Sequence, residues 1–138
     1  MLRVAFASDD HANVNQHFGA AGGFAIFALD GERAQLVEVA EFPPETMDGN
    51  ESKLPAKIAA LTGCAAVYCL AAGASAVKQL LAAGIQPIRL DDEAEIEPLL
   101  KQISTAIKDG SITWVVKALR KDSDVRRFER MAADGWEE

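Results

Sequence analysis

The chain has 138 residues, of which 49% are hydrophobic and 25% are charged, which is enough for one hydrophobic core and too little for two. Its net charge of −7 argues against general binding to nucleic-acid backbones, which requires a basic surface. No apolar run is long enough to cross a bilayer, and the N-terminus leads into a strand pattern without a signal peptide. We therefore expect one cytoplasmic domain that binds neither nucleic acid nor membrane.

The first predicted strand, residues 2–7, alternates the bulky Leu2, Val4 and Phe6 with smaller or charged residues. It leads into a polar loop, residues 8–19, which contains both histidines of the chain, His11 and His17. Loops at strand ends often carry ligand groups, because the sheet holds their backbone in place. Imidazole is also a ready ligand for transition metals, so the sequence places its candidate site in this loop.

Two further strands are predicted directly after the loop. Residues 24–29 are apolar at successive positions, which is typical of a strand covered on both faces. Asp30-Gly31 then predicts a two-residue hairpin turn into a third strand over residues 33–42. Glu38 and Glu41 place this third strand at a sheet edge, where charge discourages pairing with another molecule.

The second half of the chain is predicted to alternate helices and strands after the break at Pro43-Pro44. The predicted elements are a helix capped by Asn50 or Ser52 and ending near Leu61, a strand over 65–70, a helix over 73–83, a strand over 85–90, a helix starting with an Asp92–Glu95 capping box, a short amphipathic helix over 112–120 and a last helix capped by Asp122 or Ser123. Pro87 indicates an edge position or a strand end, since proline cannot donate to the ladder. Periodicity alone therefore predicts an α/β domain with one sheet.

Charge is unevenly distributed along the chain. Residues 117–130 carry a net charge of +3, and the remainder carries −10. The basic residues of this segment are Lys117, Arg120, Lys121, Arg126, Arg127 and Arg130. A basic segment on an acidic body is either a docking surface for a partner or a solvated helix face with offsetting charges.

Cys64 and Cys69 are the only cysteines, and both lie in or beside an apolar segment. A structural disulfide is not favoured in a chain that we expect to be intracellular, and the spacing matches neither a zinc ribbon nor a redox motif. Cys69 is predicted to share a strand face with Val67. We expect both cysteines to be small buried side chains, with a ligand role left open.

The run Val-Asn-Gln-His-Phe-Gly at residues 14–19, followed by Gly-Phe-Ala-Ile-Phe at residues 23–27, resembles the dinitrogenase iron–molybdenum cofactor biosynthesis family. The resemblance extends from about Leu2 to Ile107 and includes residues 4–9 and 82–87. It implies a ribonuclease H-like, mixed five-stranded sheet flanked by helices. This α/β domain would span residues 1–110, and residues 111–138 would form a helical extension packed on it.

The same resemblance implies a carrier and not an enzyme. Such a protein would transiently bind the iron–molybdenum cofactor, or its iron–sulfur precursor, and pass it between nitrogenase cofactor assembly proteins. The motif histidine of the family corresponds to His17, the first candidate to contact cluster iron, and His11 is the second. Asn15 and Gly19 are further candidates for cofactor binding. A cluster that brings its own sulfide needs few protein ligands, whereas an ordinary cubane normally takes about four cysteines.

Two other functional classes have to be weighed against a carrier. A protein-interaction module would dock through the basic C-terminal helices, with the histidine loop serving only the fold. A metal-dependent nuclease would use Asp9 and Asp10, but neighbours on a strand point to opposite faces and an acidic chain opposes nucleic acid. The sequence has no nucleophile–base motif, phosphate-binding loop or nucleotide fingerprint, so we expect no catalytic turnover.

Overall fold

The computed structural model describes residues 1–42 and 54–121. In chain order, the described elements are β1 (Leu2–Ala7), β2 (Asn13–Val14), β3 (Gly23–Leu29), β4 (Ala34–Glu41), α1 (Leu54–Ala60), β5 (Ala66–Cys69), α2 (Ala74–Ala82), β6 (Gln86–Arg89), β7 (Ala94–Glu95), α3 (Ile96–Asp109) and α4, described over residues 113–121. The predicted caps Asn50 and Ser52 and the predicted helix after Asp122 or Ser123 lie outside the described residues.

The main sheet has five strands in the order β4-β3-β1-β5-β6. β1 pairs antiparallel with β3, where Val4 faces Phe27, and parallel with β5, where Val4 faces Ala66. β3 and β4 are antiparallel, and β5 and β6 are parallel. This mixed five-stranded sheet confirms the predicted α/β class. β4 and β6 form its two edges, as Glu38, Glu41 and Pro87 predicted.

The sheet is covered on both faces by helices, and the pleat of β1 divides the core into two layers. Leu2, Val4 and Phe6 pack with residues of α3 and α4, whereas Ala5 and Ala7 pack with residues of α1 and α2. The α1/α2-side core also contains Val67, Cys64 and Cys69. Both cysteines are free and buried, which confirms their predicted place in the core.

The start of α3 differs from the sequence prediction. Glu95 is the N-cap residue and makes no side-chain cap hydrogen bond, so the predicted Asp92–Glu95 capping box is wrong. The reason is that Ala94 and Glu95 form β7, which pairs with Val14 and Asn13 of β2. The Ile96 N–H, one of the first N–H groups of the helix that have no intrahelical partner, donates to the Ala12 carbonyl at 2.8 Å.

The turn between β3 and β4 also differs from its prediction. β3 ends at Leu29 and β4 begins at Ala34, so four residues connect them instead of two. The Asp30 carboxylate accepts the backbone N–H of Glu32 at 2.8 Å and of Arg33 at 2.7 Å, which stabilises the longer connection. These bonds, that from Glu32 first, lower the pKa of the Asp30 carboxyl.

Within residues 1–42 and 54–121, no helix combines the length and the apolar composition that a membrane span requires.

The packing of α3 on the sheet makes a stability prediction. Ile103 is fully buried against the sheet, whereas its neighbour Gln102 is exposed. Ile103→Ala removes buried methyl groups and leaves a cavity, so it should lower the free energy of unfolding by about 2–5 kcal/mol. Gln102→Ala is the matched control and should change it by less than about 0.5 kcal/mol. Urea unfolding of both variants measures the difference, and equal losses would contradict this packing.

Candidate functional site

The candidate site is the connection between β1 and β3, residues 8–22, at the carboxyl edge of β1 and β5. β1 is buried on both faces up to Ala7, and the buried Ser8 is its first polar neighbour. The Ser8 N–H still donates to the Gly23 carbonyl, at 3.1 Å. A Cβ at Gly23 would lie 3.2 Å from the Ser8 carbonyl oxygen and 3.3 Å from that of Ala40, so this close approach favours glycine.

The first part of the loop is organised by the Asp10 carboxylate. It accepts the backbone N–H groups of Ala12 and Asn13, both at 2.9 Å, the Asn13 side-chain amide at 3.0 Å and the Ser8 hydroxyl at 3.1 Å. These bonds favour the ionised form, so the pKa of Asp10 is well below its ordinary value, with the Asn13 side chain as the largest cause. Asp10 therefore acts as the structural centre of this turn.

His11 lies at the corner of the same turn in a left-handed backbone conformation, with φ of 62°. Its N–H donates to the Ser8 hydroxyl oxygen at 2.8 Å, which accounts for this strained geometry. The exposed His11 side chain lines a cavity between the β2–β7 ribbon and α3, together with Glu95, Glu97 and Lys101.

Asn15 shapes the loop through its side chain. Its amide nitrogen donates to the Asp9 carboxylate at 2.7 Å, and its amide oxygen accepts the Asp9 N–H at 3.2 Å. Its own N–H donates to the Ala7 carbonyl at 3.2 Å. Both ends of the Asn15 amide thus hold the loop closed across its base, and the same bonds engage Asp9 in the fold.

His17 is held differently, because its backbone is fixed on both sides. The Gln16 carbonyl accepts the Leu70 N–H at 3.0 Å, and the Phe18 N–H donates to the Ala71 carbonyl at 2.7 Å. The Phe18 ring is 0% exposed and packs against Phe24, with 5.3 Å between ring centroids. Between these anchors the His17 side chain is exposed to solvent. The structure therefore presents an accessible imidazole on a fixed backbone.

Gly19 receives a contact that the sequence analysis did not foresee. Its carbonyl accepts a hydrogen bond from the Lys57 ammonium, with 2.6 Å between the Gly19 oxygen and Nζ. Lys57 lies in α1 and is 0% exposed. The only signal in the sequence was a lysine within an apolar helix, which usually indicates a side chain that extends to the surface.

The two histidines are not brought together in one cavity. Val14 packs in the α3/α4-side core and Phe18 in the α1/α2-side core, so the loop crosses the edge of the sheet between them. His17 is not among the residues that line the His11 cavity. Among the described residues, no group of three or more His, Cys, Asp or Glu side chains has the geometry of a metal site.

The cysteines add no thiolate to this edge. Burial raises the pKa of Cys64 and of Cys69 to about 11, so both thiols are protonated at neutral pH. Cys69 is fully buried at the end of β5, below the residues that anchor the loop. Sulfur ligation would require rearrangement of the core.

The loop also lies beside the start of α2, which begins at Ala74, three residues after Ala71. Gly73 is the N-cap of this helix and makes no side-chain cap bond, and Gly73, Ala74 and Ser75 are exposed. The first N–H groups of a helix carry a partial positive charge, which favours a nearby anion. The neighbourhood of His17 therefore suits a negatively charged ligand better than the net charge of the chain suggests.

The role of Asp10 predicts a pH dependence of stability. Because its folded pKa is depressed, its contribution is present above the unfolded pKa of about 3.9 and is lost as pH falls toward the folded value. Asp10→Ala should thus lower the melting temperature at pH 7, and the gap to wild type should shrink below about pH 4. Thermal melts of the wild-type and Asp10→Ala proteins across this pH range test the prediction. Asp91→Ala, at an exposed site in the β6–β7 connection, is the control. A constant gap would contradict the role given to Asp10.

A model of the dinitrogenase iron–molybdenum cofactor family matches residues 1–106. Protein NifX of Azotobacter vinelandii is 48% identical over 140 residues, which cover 100% of this chain and 89% of that protein. FeMo cofactor biosynthesis protein NifB of Frankia alni is 37% identical over 97 residues, 67% of this chain but only 19% of that protein.

The crystal structure of PH0822 superimposes with a TM-score of 0.56 and 28% sequence identity, over 82% of this chain and 97% of that one. The family match, the relative at 48% identity and the shared fold agree with one another. The chain belongs to the dinitrogenase iron–molybdenum cofactor family.

Proposed function

We propose that the protein is a carrier in nitrogenase cofactor biosynthesis. It binds the iron–molybdenum cofactor, or its iron–sulfur precursor, beside His17 and passes it between cofactor assembly proteins. The observation that carries this proposal is the fixed backbone of residues 16–18, which presents the exposed His17 imidazole. Similarity to proteins named for FeMo cofactor biosynthesis supports the same assignment.

One histidine contact suits a cargo that has to be released. The cluster brings its own sulfide ligands, so the protein need not complete the coordination of iron. A neutral imidazole adds no negative charge to an anionic cluster, and a stronger ligand in the acceptor can displace it. The buried, protonated thiols of Cys64 and Cys69 take no part. The role is transport, and no catalytic step is assigned to the protein.

The remaining loop candidates take different parts in this proposal. Gly19 contributes space, since a Cβ at this position would meet nothing within 4 Å. Asn15 orients the loop through Asp9 and leaves iron to His17. His11 faces a separate cavity and is a secondary contact only if the cargo extends across the edge of the sheet. The exposed start of α2 favours the negative charge of the cluster.

We also assign the sheet to the ribonuclease H-like class, because only β3 is antiparallel to the other strands in the order β4-β3-β1-β5-β6. Residues 1–110 then form the cofactor-binding domain, and the extension begins at residue 111 and is packed on it over residues 111–121. The rest of the predicted extension, residues 122–138, lies outside the described residues. Support for this division comes from α4, where Val115 is fully buried and the Trp114 ring lies 6.3 Å from that of Tyr68.

A second candidate function is a protein-interaction module that docks through the basic C-terminal region. One observation favours it: a cleft at the amino edge of β1, β5 and β6, opposite His17, is lined by Trp114 and the exposed Leu81 and has a basic rim. The charged side chains of this cleft are Arg3, Lys117, Lys121 and a single carboxylate, Asp30. Arg126, Arg127 and Arg130 lie outside the described residues. Both functions can operate in one protein.

The carrier function is tested by loading the protein with isolated iron–sulfur precursor under anaerobic conditions. The wild-type protein should leave gel filtration brown and carry iron, whereas His17→Ala should carry much less. Because an exposed loop side chain contributes little to the core, His17→Ala should change the free energy of unfolding by less than about 1 kcal/mol.

His11→Ala is the matched control for this test, because it removes the other histidine of the same loop. It should keep most of the cluster binding. Full binding by a folded His17→Ala protein would remove His17 from the site, and a colourless wild-type protein that still retains an assembly partner would favour the interaction module.

The docking function makes its own prediction about salt. Exposed charges are screened beyond about 8 Å at physiological ionic strength, so association with an acidic assembly protein should weaken as salt rises. A Lys117→Ala, Lys121→Ala variant should bind more weakly at low salt and lose much of this dependence. Lys78→Ala, at an exposed position on α2, is the control and should behave like wild type. Salt-independent binding would argue against a charged docking surface.

A further inference from the structure

Lys57 is the one lysine among the described residues that is fully buried. It belongs to α1, whose other buried residues, Leu54 and Ile58, pack in the α1/α2-side core. Lysine is almost never fully buried unless its ammonium is paired, because desolvation of the charge is costly. The ammonium of a lysine at such a position therefore needs polar or charged partners.

Two contacts of Lys57 with described residues concern the segment around the candidate site. Nζ donates to the Gly19 carbonyl at 2.6 Å, and it lies 5.9 Å from the centroid of the Phe42 ring. The N–H of Phe42 in turn donates to the Gly22 carbonyl at 2.9 Å. Lys57 thus contacts one end of the segment 19–22 directly and meets the other end through Phe42. It joins α1, the end of β4 and the histidine loop at one point.

His17 lies between two kinds of anchor. On the sheet side, Gln16 and Phe18 bond to Leu70 and Ala71 after β5. On the side of α1, the chain continues into Gly19, whose backbone is conformationally free because glycine has no Cβ. The bond from Lys57 restrains the chain where this freedom would otherwise begin. A charged donor forms a stronger bond than a neutral one, and the low dielectric of a buried site strengthens it further.

We propose that Lys57 is a positioning residue for the cluster-binding loop: its ammonium holds the Gly19 carbonyl and thereby fixes the Phe18–Gly19 corner that orients His17. This inference rests on the proposed carrier function. It gives Lys57 no contact with iron, because its ammonium is buried beneath the loop and has no lone pair to give.

The test uses Lys57→Met, which keeps an unbranched side chain of similar bulk and removes the donor. Hydrogen exchange of the Phe18 N–H, which bonds to Ala71, reports the order of the corner without any cluster. We expect its protection to fall about tenfold more than that of β1 amides, and the affinity for isolated iron–sulfur precursor to weaken about tenfold, which is about 1.4 kcal/mol. In the Lys57→Met background, His17→Ala should cause a smaller further loss of cluster affinity than in wild type, since both substitutions act on the contact between His17 and the cluster.

Leu80→Ala is the control for a purely structural effect. Leu80 is a fully buried residue of α2, and its carbonyl bonds to the Ile85 N–H near the amino edge of the sheet, away from the loop. This variant should lower global stability while leaving cluster affinity and the relative exchange rate of the Phe18 N–H unchanged. If Lys57→Met does not fold, Lys57→Gln replaces it, because its amide is polar but one atom too short to reach Gly19.

The outcomes separate the two proposals. Unchanged Phe18 exchange in a folded Lys57 variant overturns the positioning role, and so does faster exchange with full cluster affinity. If Leu80→Ala weakens cluster affinity as much as the Lys57 variant does, the loss of affinity reflects global stability. That result also overturns the positioning role. If the wild-type protein binds no cluster, the carrier function fails, while the exchange measurement still shows whether Lys57 fixes the corner.

Discussion

The burial of β1 is the constraint on which the rest of the structure depends. This strand pairs with β3 on one side and β5 on the other, and helices cover both of its faces, so residues 4–7 are fully buried. A polar side chain within it would need a partner in a core that offers few. Polar side chains that could bind a ligand therefore follow only from Ser8, where the strand leaves the sheet. Because β1 is buried, the start of the loop is also held in place.

The rigid end of β1 lets the loop combine a fixed backbone with an exposed side chain, although exposed loops are usually mobile. The backbone of residues 16–18 is fixed by bonds to Leu70 and Ala71 and by the buried Phe18 ring, whereas the His17 side chain points outward. Ordering a loop at the moment of binding costs about 1–2 kcal/mol per residue in backbone entropy, and folding has already met this cost here. In the proposed carrier function, this order lets weak, exchangeable ligation be selective without strong bonds to the cluster.

Much of the fold could be predicted from local patterns. The alternation of Leu2, Val4 and Phe6 identified the central strand and its faces, and Glu38 and Pro87 identified the two edges, because burial and hydrogen-bonding capacity act directly on those residues. The β2–β7 ribbon could not be predicted, since two-residue strands leave no periodicity, and it displaced the capping box expected at Asp92. The histidine loop was visible as a motif. Its separation of His11 from His17 depends on Val14 and Phe18 packing on opposite faces, which is a tertiary effect.

The two ends of the sheet give the carrier proposal its geometry. His17 lies at the carboxyl edge of β1, and the basic, apolar cleft that includes Lys117 and Trp114 lies at the amino edge. A carrier whose cargo and partner compete for one surface has to release one before it binds the other. Because the two surfaces lie at opposite ends of the sheet, the protein can dock on a partner and bind the cluster at the same time. A docked partner also leaves His17 accessible to an acceptor. Transfer then depends on the difference in ligand strength between this imidazole and the acceptor, and the partner sets only which acceptor is near.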